Sequence, residues 1–286
     1  MVQKKLLMIV NPTAGRSKPR GPLFDAAALF SQAGYLLSIR QTESPGDAIK
    51  IAAECGEDTD VVVAVGGDGT LNQTISGLMS LEQRPLLGYL PRGSTNDFAA
   101  SLHISSDPAA AADQILHGQR RALDIGRWNE RYFVYVASFG AFTRSSYTAP
   151  QAAKNALGHL AYILEGMKDL NSLRPYQIRL TADGEVLDGS YLFGAVCNST
   201  SIGGLMKLNP ERVVLDDGKF EPQDLQNLVL ALLNQQYDRE GLVFRHVSSL
   251  HLETQEELPW SLDGEYAASV PAVEIENHQR SLTMLL

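Results

Sequence analysis

The chain has 286 residues, of which 44% are hydrophobic and 20% are charged, and its formal net charge is −9. This composition is typical of a folded globular protein, and the negative charge argues against a nucleic-acid binder held by bulk electrostatics. The 2 cysteines have no metal-ligand spacing, and no apolar stretch reaches the roughly 18 residues of a membrane span, so we expect a cytoplasmic protein.

The first part of the chain alternates between strand and helix patterns. Strands are predicted at 6–10, 36–41, 61–65 and 86–90, and helices at 22–33, 46–55, 71–79, 96–102 and 108–116. Alternation of this kind is typical of a doubly wound parallel sheet with helices on both faces. Ligands of such sheets bind beyond the carboxyl ends of the strands. We therefore expect the loops that follow the strands to converge on one cleft, namely 11–20, 42–46, 66–70 and 91–97.

The pattern changes near Asp124. β-like runs are predicted at 131–138, 176–181, 190–197, 243–252 and 272–275, with one amphipathic helix at 153–169. Asp-Gly pairs at 183–184, 188–189, 217–218 and 263–264 predict turns between these runs. We expect an α/β domain over residues 1–125 and a mainly antiparallel β domain over 126–278.

The most informative motif follows the run Val61–Val65, which predicts a strand buried on both faces. It is the segment Gly66-Gly67-Asp68-Gly69-Thr70. Glycines permit dihedral angles that other residues avoid, and they let a backbone approach a ligand closely. A strand, a glycine-rich turn and a helix together present backbone N–H groups to phosphate. The alternative is an ordinary tight connection, but an acid between glycines is a poor choice for a turn alone.

Two further loops have the composition of phosphate-contacting loops. Residues 11–18 combine small and polar residues with Gly15, Arg16 and Lys18, although the spacing is not that of a Walker loop. Residues 91–97 lie between a predicted strand and a predicted helix, which Thr95 or Asn96 would cap; a capped loop without a ligand is the alternative.

The last candidate is the segment Asp263-Gly264-Glu265. Asp-Gly is a common hairpin signal, so a simple turn is the alternative here. A carboxylate held at the end of a rigid strand, as Glu265 would be, is also able to take a proton from an attacking hydroxyl group.

Together, these segments resemble the bacterial diacylglycerol kinase family, which is related to the sphingosine and ceramide kinases. The resemblance covers nearly the whole chain and rests on Asn11-Pro12 with Gly15, Gly66 to Asn72, Pro91 to Ala99, Asn198 with Gly203-Gly204, Asp217-Gly218 and Asp263-Gly264-Glu265. The Gly-Gly-Asp-Gly-Thr motif is shared with NAD kinases and phosphofructokinases. The resemblance implies an N-terminal domain that binds ATP, a C-terminal β-sandwich, and a last strand at about 279–286 that returns to the first domain.

The resemblance also implies roles for individual residues. Asp68 matches the acid at the phosphate-transfer centre, and Glu265 matches the general base. Asp97 and Asp124 match acids around a catalytic Mg²⁺, and Asp217 matches a site for a second, structural cation, with Asp216 as the alternative ligand. The resemblance implies nucleotide contacts at Asn11, Thr42, Gly67 and Thr95. The composition of the loops adds the expected contacts Arg16, Gly66, Gly69, Thr70, Gly93, Ser94 and Asn96.

The function that follows is an ATP- and Mg²⁺-dependent kinase acting on a lipid alcohol at the membrane surface. The alternatives are a kinase of a soluble alcohol, such as NAD or a sugar phosphate, and a nucleotide-binding regulator without catalysis. The sequence leaves the lipid unnamed, and it leaves open whether the chain is a monomer or a homodimer. The function requires Asp68 and Glu265 to face each other across a gap between the domains. A further hypothesis is that basic N-terminal residues adsorb the protein weakly to the membrane.

Overall fold

A computed structural model of the chain describes residues 3–15, 21–94, 96–140, 175–191, 193–198, 201–202, 206–207, 221–222 and 247–286. The chain divides into two compact units. Unit 1 comprises Met1–Leu123 and Arg280–Leu286, and unit 2 comprises Asp124–Gln279. Among the described residues, no helix is long and apolar enough to cross a membrane.

The first nine elements in the described part of the chain belong to unit 1. They are β1 (Lys5–Val10), α1 (Gly21–Gln32), β2 (Leu36–Gln41), α2 (Asp47–Cys55), β3 (Val61–Gly66), α3 (Asp68–Leu78), β4 (Leu86–Pro91), α4 (Asp97–Ser101) and α5 (Pro108–His117).

After α5, all elements in the described part of the chain are strands. They are β5 (Arg120–Trp128), β6 (Arg131–Phe133), β7 (Val136–Gly140), β8 (Tyr176–Ala182), β9 (Glu185–Tyr191), β10 (Phe193–Cys197), β11 (Ser201–Ile202), β12 (Met206–Lys207), β13 (Glu221–Pro222), β14 (Ser249–Glu253), β15 (Trp260–Leu262), β16 (Glu265–Ala267) and β17 (Ala272–Leu285).

Unit 1 is built on a parallel sheet with the strand order β2-β1-β3-β4-β17. Strand β3 is buried along its whole length, because its small branched side chains fit between two helical layers. Helices α1 and α5 bury Phe30 and Ala112 in a cluster with Val63, and α2 packs against α3. The prediction of a doubly wound parallel sheet is confirmed.

The last strand joins this sheet at its far end. Met284 pairs with Leu87 in parallel, and Leu286 exchanges two backbone hydrogen bonds with Gln119, at 2.7 and 3.1 Å.

Unit 2 contains two antiparallel layers. One has the strand order β17-β14-β8-β9, to which β17 contributes its residues before Arg280, and the other has the order β13-β10-β7-β15-β16. Leu252 and Ile275 from the first layer share a buried cluster with Trp260 from the second. The ring of Phe139 meets that of Trp260 edge to face, with centroids 4.9 Å apart. The prediction of a mainly antiparallel β-sandwich is confirmed.

Some predicted boundaries in unit 2 are wrong. The pair Asp188-Gly189 does not form a turn, because both residues lie inside β9 and pair with β8. The predicted run 190–197 is divided between β9 and β10, and β5 was not predicted at all. The predicted helix at 153–169, the Asp217-Gly218 turn and residues 243–246 lie outside the described residues.

Candidate active site

In unit 1, the glycine-rich motif forms a shorter turn than its sequence suggests. β3 ends at Gly66 and α3 already begins at Asp68, so Gly69 lies in the first helical turn. Gly66, Gly67 and Gly69 have no positive φ, and the expectation that they supply unusual dihedral angles is wrong. Gly67 instead permits close approach to the next loop, because a Cβ atom on Gly93 would lie only 2.6 Å from the Cα atom of Gly67.

Asp68 accepts hydrogen bonds from the first turn of the next short helix. Its carboxylate receives the backbone N–H groups of Asp97 at 3.2 Å and of Phe98 at 3.4 Å. Burial raises the pKa of the Asp68 carboxyl above its ordinary value, and these N–H groups oppose the rise. A carboxylate on α3 therefore satisfies the N–H groups at the start of α4.

The predicted cap of α4 behaves differently. Asn96 precedes the helix in a left-handed conformation, with φ of 53°, and its side chain makes no capping hydrogen bond. The Oδ1 atom instead accepts from the N–H of Gly93 at 2.8 Å, and Nδ2 donates to the carbonyl of Gly93 at 3.1 Å. Asn96 thus closes the 93–96 loop, because Asp68 already occupies the place of the cap.

Tyr89 is a member of this site that the sequence analysis missed. Its hydroxyl group lies 3.3 Å from the Gly66 carbonyl oxygen and 3.4 Å from Asn96 Oδ1. Burial first, and then the negative charges of Asp68 and Asp97, raise the pKa of Tyr89 well above its ordinary value. Tyr89 occupies a strand position, so the sequence pattern indicated only a core residue.

Two of the predicted nucleotide contacts lie at the other end of this edge. Asn11 follows β1 and donates from Nδ2 to Thr70 Oγ1 at 3.1 Å. Thr42 follows β2 and donates its backbone N–H to the carbonyl of Val10 at 3.0 Å. Within unit 1, the loops after the first four strands of the chain are therefore brought to one edge of the sheet.

Three of the predicted site residues cannot be placed. Arg16, Thr95 and Asp217 lie outside the described residues, as does Asp216. Ser94 is described and exposed.

In unit 2, Asp124 lies in the middle of β5 and is 1% exposed. Asn277 donates from Nδ2 to its Oδ2 atom at 3.2 Å, and Asn198 donates from Nδ2 to its backbone oxygen at 2.6 Å. The Oδ1 atoms of both asparagines are buried and accept no hydrogen bond in the described part of the chain. Each such unpaired oxygen costs about 1–3 kcal/mol.

These asparagines were not predicted as site residues. Asn198 belonged to the resemblance without a role, and nothing in the sequence around Asn277 indicated one. Their contact with Asp124 depends on strand pairing over more than seventy positions.

The hairpin that carries Glu265 is a two-residue turn. Asp263 has φ of 49° and Gly264 has φ of 84°, and Leu262 pairs with Glu265. Two consecutive positive φ values are those of a type I′ turn, which Asp-Gly favours. The backbone direction at Glu265 is therefore set by a tight and well-defined turn.

Asp263 is a second residue that the sequence analysis left without a role beyond the turn. Its carboxylate is 5% exposed and accepts three backbone N–H groups. These come from Val134 at 2.7 Å, Tyr135 at 3.0 Å and Val136 at 2.9 Å.

Glu265 itself is an exposed residue, yet its carboxyl group is partly desolvated. Burial of that carboxyl raises the pKa of Glu265 above its ordinary value, and the positive charge of Arg131 opposes the rise. A carboxylate whose pKa moves toward neutrality is better suited to accept a proton.

Carboxylates in unit 1 are candidate oxygen ligands for a cation. In the described part of the chain, no group of three or more His, Cys, Asp and Glu side chains could hold a metal ion. Mg²⁺ is usually bound through one or two carboxylates together with phosphate oxygens and water. In unit 1, Asp68 and Asp97 both lie near the Tyr89 hydroxyl. These two carboxylates fit the number of protein ligands that a Mg²⁺ site of this kind requires.

Comparison with known proteins gives two family matches. Residues 5–128 match the diacylglycerol kinase catalytic domain, and residues 136–285 match the YegS C-terminal NAD kinase beta sandwich-like domain.

Individual relatives cover nearly the whole chain. The chain is 35% identical to a diacylglycerol kinase of Bacillus subtilis, over 99% of this chain and 96% of that protein. It is 33% identical to a diacylglycerol kinase of Staphylococcus aureus, over 97% and 91%. A crystal structure of a diacylglycerol kinase from Bacillus anthracis superposes with a TM-score of 0.82 at 26% identity, over 100% of this chain and 98% of that chain.

Proposed function

Because the chain belongs to the diacylglycerol kinase family, we propose that it transfers the γ-phosphoryl group of ATP to the hydroxyl group of diacylglycerol. Family membership makes the protein a kinase that phosphorylates an alcohol, and more narrowly a lipid kinase. The finer proposal depends on the position of Asp68, which lies within the glycine motif and bonds through its carboxylate to the first turn of α4.

The nucleotide phosphates are proposed to bind at the beginning of α3. The first N–H groups of a helix have no partners inside the helix, and they attract phosphate. Gly67 precedes α3 with an extended backbone and brings no side chain, so a phosphate group is able to approach these N–H groups. Asn11, which is hydrogen-bonded to Thr70, is proposed to contact the same nucleotide.

Asp68 and Asp97 are proposed to hold Mg²⁺, with Asp124 contributing to the surrounding hydrogen bonds. When bound, Mg²⁺ would neutralise charge on the phosphate oxygens, which is the main demand of phosphoryl transfer. Asp68 is oriented for this role by the N–H groups of Asp97 and Phe98.

Glu265 is proposed to be the general base. Its carboxylate would accept the proton of the lipid hydroxyl group as that oxygen attacks phosphorus. The raised pKa of Glu265 supports this role, because a stronger base takes the proton more readily. The acceptor is proposed to be presented at a membrane surface, where diacylglycerol resides.

The direct test is transfer of radioactive phosphate from ATP to a panel of acceptors. The purified protein is incubated with Mg²⁺, labelled ATP and mixed micelles that contain diacylglycerol, and sphingosine and NAD are tested in parallel. We expect label in the phosphorylated diacylglycerol. Labelled NAD without any labelled lipid would contradict the proposal and favour the soluble-alcohol alternative.

The role of Asp68 is tested in the same assay. Asp68→Ala is expected to lose activity, and excess Mg²⁺ is not expected to restore it, because the carboxylate also orients the site. Full recovery at high Mg²⁺ would show that Asp68 raises metal affinity and does nothing more.

A further inference from the structure

Within unit 2, Asp124 and the hairpin of Glu265 are the two ends of one chain of hydrogen bonds. We propose that Asn198 and Asp263 are positioning residues, which fix Asp124 and Glu265 relative to each other through the backbone of residues 134–136. This inference rests on the proposed function, since Asp124 and Glu265 matter only if the kinase uses them. We call the chain of contacts the 134–136 network.

The first link joins the hairpin to residues 134–136. The Asp263 carboxylate accepts the N–H groups of Val134, Tyr135 and Val136 at 2.7–3.0 Å. The Asp263 N–H also donates to the carbonyl of Val136 at 2.8 Å. At least four hydrogen bonds therefore hold Asp263, and Glu265 follows after a single residue. Movement of this anchor would displace the Glu265 backbone.

The second link joins residues 134–136 to Asp124. Asn198 donates its backbone N–H to the carbonyl of Tyr135 at 2.9 Å. Its side chain donates to the backbone oxygen of Asp124 at 2.6 Å. Asn277 holds the other end of the same residue, since it donates to the Asp124 carboxylate at 3.2 Å. The backbone and the carboxylate of Asp124 are thus both fixed by amides.

The unpaired oxygens indicate a role beyond stability. Asn198 Oδ1 and Asn277 Oδ1 are buried without a hydrogen-bond donor among the described residues, which is unfavourable for folding. Rotating either amide would not help, because it would turn an oxygen toward an acceptor on Asp124. Each amide therefore directs an N–H group to Asp124 while its oxygen stays unpaired among the described residues, which costs folding free energy.

The experiment uses Asp263→Asn and Asn198→Leu, with Asp183→Asn as the matched control. Asp183 also precedes a Gly-Glu pair in a hairpin, and its carboxylate also accepts backbone N–H groups, but it lies outside the 134–136 network. We expect kcat to fall about 10- to 100-fold in the first two variants, because small displacements of reacting groups have effects of this size. The KM for ATP should stay within about twofold, and Asp183→Asn should keep the full kcat.

The double variant and the pH profile of kcat test whether Asn198 and Asp263 act through the same network. In Asn198→Leu/Asp263→Asn, the loss in kcat should be well below the product of the two single losses, since either change breaks the same network. In Asp263→Asn, the acid limb of the plot of kcat against pH should move to lower pH. The reason is that a displaced and more hydrated Glu265 regains an ordinary pKa. Multiplicative losses, or single variants that keep the wild-type kcat and acid limb, would overturn the proposal.

Amide hydrogen exchange separates the network from the proposed chemistry. We expect Asp263→Asn to speed exchange in peptides that cover Val134–Val136 and also in those that cover Asp124. Asn198→Leu should do the same, and Asp183→Asn should affect neither. Exchange confined to the mutated hairpin overturns the network even if the kinase is confirmed. Coupled exchange in a protein that phosphorylates no lipid would instead reject the proposed function alone.

Discussion

The tripeptide Asp-Gly-Glu occurs at 183–185 and again at 263–265, and the two copies have nearly the same local structure. Asp183 and Asp263 have φ of 46° and 49°, and the glycines that follow have φ of 89° and 84°. In each copy a two-residue turn connects paired strands. In each, the aspartate carboxylate accepts backbone N–H groups from another segment of the chain.

The copies differ in what surrounds them. Asp183 is exposed and holds the backbone of Ser248 and Ser249, at 2.8–3.2 Å. Asp263 is buried and belongs to the network that reaches Asp124. Burial also raises the pKa of Glu265. The same tripeptide thus forms a surface hairpin in one place. In the other it carries a proposed base, Glu265, and the buried aspartate that anchors its hairpin.

The largest difference between the two copies is expected from substitution of their glutamates. Glu265→Gln should lower kcat by about a hundred- to ten-thousand-fold, since a general base contributes that much. ATP binding, measured by calorimetry, should be little changed. Glu185→Gln is the matched control and should keep wild-type turnover. Equal turnover by both variants would remove Glu265 from the mechanism.

The two aspartates should differ in stability. Asp263→Ala leaves three backbone N–H groups of a buried segment without their acceptor, so we expect a loss of about 3 kcal/mol or more. Asp183→Ala should cost about 1 kcal/mol, because water is able to reach the exposed N–H groups. Urea unfolding measures both values. Losses of equal size would mean that burial does not distinguish the two anchors.

The two glycines should be alike in stability and unlike in activity. Alanine at Gly184 or Gly264 meets no atom closer than 4.0 Å, so the expected cost is the strain of a positive φ, about 1–2 kcal/mol in each case. Thermal unfolding of both variants checks this equality. Only Gly264→Ala should also lower kcat, because it disturbs the backbone next to Glu265. A matching fall in Gly184→Ala would point to a general loss of folded protein.

The smallest expected effect concerns pH and stability. Because the pKa of Glu265 is raised above its ordinary value of 4.5, the folded state binds its proton more tightly than the unfolded state. The resulting stabilisation is fully present below about pH 4.5 and is lost as the pH rises through the folded-state pKa. Glu265→Gln should therefore gain in melting temperature relative to the wild type at pH 8 but not at pH 4. If the melting temperatures of Glu265→Gln and the wild type differed by the same amount at pH 4 and at pH 8, the assigned burial of the Glu265 carboxyl group would be contradicted.

Much of unit 1 was predictable, because its periodic elements carry their own signals. The run Val61–Val65 indicated a strand buried on both faces, and the observed strand β3, which extends to Gly66, is buried along its length. The glycine motif indicated where the loops meet. The cap of α4 was not predictable, since the acceptor is Asp68, which lies about thirty positions earlier in the chain.

The supporting residues of the candidate site were the least predictable. Tyr89 has the pattern of a strand residue, and only the fold places its hydroxyl group between Gly66 and Asn96. Asn198 meets Asp124 across more than seventy positions. Such contacts leave no periodic trace in a single sequence.

By itself, the sequence determined the alternation of strands and helices in unit 1 and the hairpin turns at Asp183-Gly184 and Asp263-Gly264, because these depend on local dihedral preferences and on side-chain periodicity. It also supplied the motifs that resemble one kinase family. Only the tertiary structure decided which of two identical tripeptides has a buried aspartate and which carboxylate caps α4. It also decided which amides hold Asp124. These outcomes depend on desolvation and on hydrogen bonds between distant segments, and both arise only when the chain has folded.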